Sequence, residues 1–265
     1  MNRFSADCSR CAGLCCVALG RSRAGGFGAD APDGEPYTNL QPDNLCVIHA
    51  TLRADGWPAC TVFDCFGAGQ QTTQVVFGGQ TDWRGDAELR ADLFATFGVM
   101  RHLMEMLRLL DEAKNLATGA LMDRAVELFD EVDALIASPA PLVQRADVNA
   151  LRARVGPLLT EVSTATRQPA PRSRKLKAHA MLLGADLHGQ DLSRHDLRGA
   201  LLIAANLRGC RFNHTDLLGS DLRDADLSGA DLAGALFLTT PQVGAARGDA
   251  STRLPDHVSR PAWWS

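Results

Sequence analysis

Seven of the chain's eight cysteines fall before residue 66, and their spacing is what metal chemistry needs. Cys8, Cys11, Cys15 and Cys16 form a C-x2-C-x3-C-C cluster. Cys46 follows, with His49 three residues on, and then Cys60 and Cys65. Two thiolates separated by two residues can grip one ion from a tight turn. The adjacent pair Cys15–Cys16 cannot easily aim both sulfurs at one tetrahedral ion, so it points to two sites or to a cluster. Seven thiols and an imidazole suffice for two zinc ions, or for one iron–sulfur cluster with ligands to spare. The expected metal ligands are therefore Cys8, Cys11, Cys15, Cys16, Cys46, His49, Cys60 and Cys65. The competing reading is a set of buried thiols in a small core. This segment carries little apolar material to fold on, and metal binding would supply folding free energy directly. Asp64, Gly67 and Gly69 make a glycine turn beside Cys65; a lone G-x-G is a weak phosphate signal, so the turn reads as packing around the site.

The elements that must position these residues follow from the rest of the 265-residue chain. Its formal charge is −4, and no run of about 18 apolar residues is present to span a bilayer. The N-terminus lacks the apolar core of a secretory signal. A cytoplasmic protein with reduced cysteines is expected, in which metal binding outranks disulfides. Residues 1–85 read as a cysteine-rich, loop-rich module. Residues 86–165 change character. Leu93, Phe97, Met100, Met104 and Leu107 recur at helical spacing, as do Leu121, Ala125, Leu128, Val132 and Leu135, and then Val148, Leu151, Val155, Leu158 and Val162. Breaks near Gly119 and at Pro139 and Pro141 predict three helices in a hairpin or bundle, the third kinked or split at Pro157. Residues 166–179, with five basic side chains and no acid before residue 179, read as a solvated linker.

Residues 180–239 divide into twelve fives, from AMLLG and ADLHG to ADLAG and ALFLT. The third residue is Leu or Phe throughout, the first mostly small, the second mostly Asp or Asn. A period of five fits neither helix nor strand, so the chain must turn once per unit. The pattern resembles the pentapeptide-repeat family, A(D/N)LXX. That resemblance implies a right-handed quadrilateral β-helix, four units per coil, with the first and third residues pointing inward. Three coils stacked at strand spacing would stand about 15 Å tall. Cys210, at a first position, is expected in the core rather than in a metal site. Gln190 and His195 occupy first positions where small residues belong, and predict a bulge or outward swing. The tail, 240–265, is expected to cap the last coil with Leu254, Val258, Trp263 and Trp264.

The early C-x2-C-x3-CC, followed by LCVIHATL and PACTVFDC, resembles a family of zinc- or iron-chelating domains, a likeness of about sixty residues that leaves zinc against iron open. The fold class expected overall is multidomain α+β: a cysteine-rich metal module, a helical bundle, a β-helix and a cap. The function expected is a metal-binding interaction or scaffold protein with a protein partner, rather than an enzyme, because no triad, paired carboxylates or nucleotide loop is present. A redox enzyme or sensor built on an iron–sulfur centre is one alternative. A topoisomerase-protecting DNA mimic is another; three short coils with eight acids against five arginines speak against it and against nucleic-acid binding.

Overall fold

The computed structural model describes residues 3–79 and 82–264. Residues 1, 2, 80, 81 and 265, which belong to the expected N-terminal module and C-terminal cap, lie outside the described residues. The chain forms two compact units, Met1–Leu159 and Thr160–Ser265.

The first unit opens with short 3-10 turns, Cys8–Arg10, Leu14–Cys16 and Arg23–Gly25. Helix α1 (Pro58–Thr61) follows, then α2 (Ala68–Gln70), which runs into a π-helical turn, Gln71–Val76. Helices α3 (Ala87–Leu116), α4 (Ala120–Ile136), α5 (Ala140–Gln144) and α6 (Val148–Thr166) complete it, the boundary between the units falling inside α6. Asp86 starts α3 by accepting the N–H groups of Glu88 and Leu89 at 2.9 and 3.0 Å. The α3 stripe of Leu93, Phe97, Met100, Met104 and Leu107 is buried, and so are Ala125, Leu128 and Val132 of α4. Leu135 is half-buried; its neighbour Ile136 takes the core position. Arg154 of α6 joins α4 through both oxygens of Glu131, at 2.6 and 2.7 Å. Helix α6 continues unbroken past Pro157, so the split expected there does not occur. The short helix α5 was not legible between its prolines.

The second unit corrects the expected fold class. Among the described residues there is no β-strand: the molecule is helices and loops, and residues 180–239 make turns joined by isolated bridges. The expected right-handed quadrilateral β-helix, and the α+β class with it, is therefore not what forms. The physical reason lies in the unit itself. In each five, one residue makes a bridge and the next residues turn, as where Ala185 N–H donates to Leu182 O at 3.1 Å and Gln190 N–H to Leu187 O at 3.0 Å. The closing residue is left-handed: Gly184, Gly189, Arg194, Gly199 and Ala204 all have φ between 55° and 68°. No run of paired residues is left long enough for a strand. Stacking survives as single parallel bridges twenty residues apart, Met181 to Leu201, Asp186 to Asn206 and Asp191 to Arg211 among them.

Inside this stack the third-position side chains form the core, with Leu192, Leu197, Leu202, Leu207, Phe212 and Leu232 fully buried. Second-position aspartates accept the N–H two residues on, as Asp191 does from Ser193 at 3.0 Å and Asp221 from Arg223 at 3.1 Å. Cys210 is buried and its thiol donates to Leu187 O at 2.9 Å. His195 also packs inward, 9% exposed and 3.1 Å from Leu192 O through Nδ1, so no outward swing occurs there; Gln190 stays exposed. Helix α7 (Thr240–Gly244) begins the terminal segment, whose Val243, Val258 and Trp264 join the same core while Trp263 is 38% exposed.

One side of the stack carries a buried charge network. Asp216 is fully buried and accepts Leu218 N–H at 2.9 Å. Arg198 lies between Asp216, 3.2 Å from Oδ2, and Asp196, 2.6 Å away. Arg167, 6% exposed, reaches Asp196 at 3.3 Å. Ser163 and Thr160, from the end of α6, hydrogen-bond to Asp216 and Arg198.

Candidate functional site

The cysteine segment is tied to the α2 and π-helical turn by side chains that bond its backbone. Gln70 donates to Ser5 O at 2.8 Å and accepts Asp7 N–H at 3.1 Å. Thr73 and Gln74 donate to Arg10 O at 2.7 and 2.9 Å. Trp83 Nε1 donates to Ala12 O at 2.9 Å. Gly69 allows the closest approach: a Cβ there would collide with Cys11 Sγ. A second support is the cluster of Tyr37, Leu52 and Trp57, against which Cys16, Phe27, Cys46 and Cys60 pack. Tyr37 and Trp57 stack with ring centroids 5.3 Å apart, and Phe27 meets Tyr37 edge-on at 6.1 Å.

Between these supports lies a cavity of about 210 Å³. All eight residues expected as ligands, Cys8, Cys11, Cys15, Cys16, Cys46, His49, Cys60 and Cys65, line it. The fold thus brings together residues up to 57 positions apart in sequence. It does not make them converge on one point: among the described residues no three His, Cys, Asp or Glu side chains are placed to hold a single ion. Cys15 and Cys16 have their sulfurs 3.8 Å apart. Every thiol is free.

Electrostatics set the state of these thiols. Burial pushes Cys11 and Cys60 up to about 12, and raises Cys8, Cys46 and Cys65. Backbone N–H groups act against it: Gly67, Ala68 and Gly69 at Cys65, Leu14 and Gly13 at Cys11, Ile48 at Cys46. The Cys15–Cys16 hydrogen bond holds Cys15 well up and brings Cys16 down, so the pair keeps its proton on Cys15. Oriented N–H groups around these half-buried sulfurs favour thiolate, and partial desolvation makes thiolate costly without a cation beside it. A thiophilic metal fits that donor set; a single preformed tetrahedral ion does not fit its spacing.

Residues not singled out from sequence also line the cavity, notably Phe27, Tyr37, Asn39, Asn44 and Trp57. The sole tyrosine of the chain, set between the cysteine groups, was the available signal. Asp64, half-buried beside Cys65, has its carboxyl raised by partial desolvation and accepts Phe66 N–H at 2.7 Å.

Comparison with known proteins adds the following. The family model for pentapeptide repeats matches residues 180–217 and 200–237, eight copies in all. The chain is similar to a protein of Bacillus subtilis strain 168 described as "Uncharacterized protein YybG", with 41% identity covering 98% of this chain and 95% of the relative. No solved structure matches it. No helix among the described residues is long and apolar enough to cross a membrane. A likeness that spans nearly the whole of both chains, with the repeats at its C-terminal end, places the protein in the family of Bacillus subtilis YybG, as a pentapeptide-repeat protein.

Proposed function

We propose that the protein is a metal-binding pentapeptide-repeat protein in which the cysteine cavity holds zinc or an iron–sulfur cluster and the repeat stack serves as a rigid docking block for a protein partner. The observation that carries this reading is that seven thiols and His49, from three separate stretches of chain, line one cavity. The Cys15–Cys16 pair, with its sulfurs 3.8 Å apart, is the motive for a group that bridges several sulfurs. When bound, such a group would supply positive charge to the partly desolvated thiolates. The chain's own part is to gather the sulfurs, to aim N–H groups at Cys11, Cys46 and Cys65, and to wall the site with Phe27, Tyr37 and Trp57.

The test is anaerobic purification followed by metal analysis and a visible spectrum. Zinc in a colourless chain supports the structural form. Iron and inorganic sulfide with absorption near 400 nm support the redox form, for which the 3.8 Å sulfur pair is the specific motive. A folded chain that takes up neither metal refutes the proposal. The DNA-mimic alternative loses support on the stack's surface, where arginines neutralise the acids: Arg211 meets Asp191 at 3.1 Å, Arg208 meets Asp226 at 3.2 Å and Arg253 meets Asp231 at 2.7 Å.

A further inference from the structure

One face of the repeat stack departs from the polar exterior of its neighbours. Units 180–184, 200–204 and 220–224 lie one above another, joined by bridges from Met181 to Leu201 and from Leu201 to Asp221. Leu182 N–H donates to Leu201 O at 2.9 Å and Gly184 N–H to Ile203 O at 2.8 Å, so Leu183 stands over Ile203 as Met181 stands over Leu201. Ala180 and Leu202 belong to the core, and the side chains next to them point outward. Met181 is 71% exposed and Leu183 54%, while Leu201 and Ile203 are half-buried. The next two faces carry only Asp, Asn or Arg at the second position, in the ladders Asp186–Asn206–Asp226 and Asp191–Arg211–Asp231. Four apolar side chains at two adjacent levels therefore make a patch on an otherwise polar surface, the usual mark of a contact site.

Charge brackets the patch. At its first-coil end the basic segment is fixed to the stack: Ser173 Oγ accepts Leu176 N–H at 2.9 Å, and Leu176 packs on the core. His179 N–H donates to Arg198 O at 2.7 Å and Ala180 N–H to Lys177 O at 3.2 Å. Arg174, Lys175 and Lys177 are exposed there, and among the described residues none of them has a carboxylate partner. At the third-coil end Arg223 pairs with Asp221 at 2.6 Å, which leaves the exposed Asp224 as surplus acid. Level by level the face reads basic, apolar, apolar, acidic. Turned end for end it complements itself: the basic end meets the acidic one, and Met181 and Leu183 meet Leu201 and Ile203 of the other copy. A twofold contact demands that kind of self-complementarity.

We infer that this face pairs with the same face of a second copy, antiparallel, about a twofold axis between the Met181 and Leu201 levels. The inference rests on the reading of the stack as a docking block and names its partner; it does not involve the cysteine cavity. Four apolar side chains from each copy make a small contact, and small contacts are weak and transient. The charges at its ends set orientation and register.

The test is sedimentation velocity of the full chain under reducing conditions, from about 5 µM to about 500 µM, with a dissociation constant on the order of 50 µM expected. Met181→Asp with Leu183→Ser gives unit 180–184 the sequence of residues 225–229, so the stack should fold as before while association falls roughly 10-fold or more. Lys177→Glu should weaken it roughly 3- to 10-fold, because each charge contact occurs twice in the dimer. Adding Asp224→Lys should restore most of that loss; Arg194 already stands at the same left-handed closing position, so the lysine is accommodated. A wild-type chain that stays monomeric overturns the self-pairing and leaves the docking block to a different protein. Reversals that weaken singly and are not rescued together overturn the antiparallel register. A dimer that none of these variants weakens places the contact outside the stack and counts against the docking block as well.

Discussion

Asp216 offers a quantitative test of how the second unit is held together. It is fully buried, and burial raises its carboxyl to about 6 against the opposing pull of Ser163, Leu218 and Arg198. The ordinary value is 3.8. A carboxyl whose folded pKa lies above its unfolded one favours folding when protonated. Stability is therefore lost as pH rises from near 4 to above 6, and the loss is about 3 kcal/mol for a shift of roughly two units. Asp216→Asn removes that dependence. Its amide oxygen can still accept Leu218 N–H, while its NH₂ faces Arg198, a local cost of about 1–2 kcal/mol that does not vary with pH. The variant should therefore be less stable than wild type at pH 4 and more stable at pH 7. The assay is hydrogen exchange of the peptide spanning residues 212–222 in the full chain at several urea concentrations, at pH 4, 5, 6 and 7. That peptide reports the second unit without interference from metal loss in the first. Stability curves for wild type and variant that run parallel across this range would show that Asp216 does not carry the pH dependence assigned to it.

Other outcomes follow from the same geometry. Gly69→Ala drives a methyl into Cys11 Sγ and should lower metal affinity roughly 10- to 100-fold with the helical content of circular dichroism unchanged. Phe212→Ala empties the centre of the repeat core and should cost about 3–5 kcal/mol in urea unfolding. Arg208→Ala, which removes a half-exposed ion pair to Asp226, should shift the same midpoint by less than about 1 kcal/mol.

What the sequence disclosed and what it withheld divide along physical lines. The third-position Leu and Phe of the repeats, and the Leu93-to-Leu107 stripe, announce their burial because period and polarity agree. The ligand candidates were legible from spacing. Their gathering around one cavity was not, because it depends on contacts such as Gln70 to Ser5 that join residues 65 apart. The stretch AGQQTTQVV shows no amphipathic period, and becomes helical because Gln70, Thr73 and Gln74 bond the cysteine segment's backbone. The β class was over-read from the family pattern: five residues that must include a left-handed turn leave single bridges, not strands. Asp216 looks like any second-position aspartate in the sequence, where neither its burial nor its hydrogen bond to Ser163, more than fifty residues earlier, can be read.

The left-handed residue that closes each five, from Gly184 to Gly229, also sets how this molecule can change in length. The terminal segment is registered onto particular units, through bridges from Asp226 to Arg247 and from Asp231 to Arg253. An insertion of one to four residues in the stack would move the inward Leu and Phe positions off the core face and break the register. An insertion of five would preserve every turn but deliver the terminal segment to the wrong face. Only an addition of twenty returns both turn and cap to their places. Growth of this protein is therefore quantised: the stack can lengthen only by whole circuits.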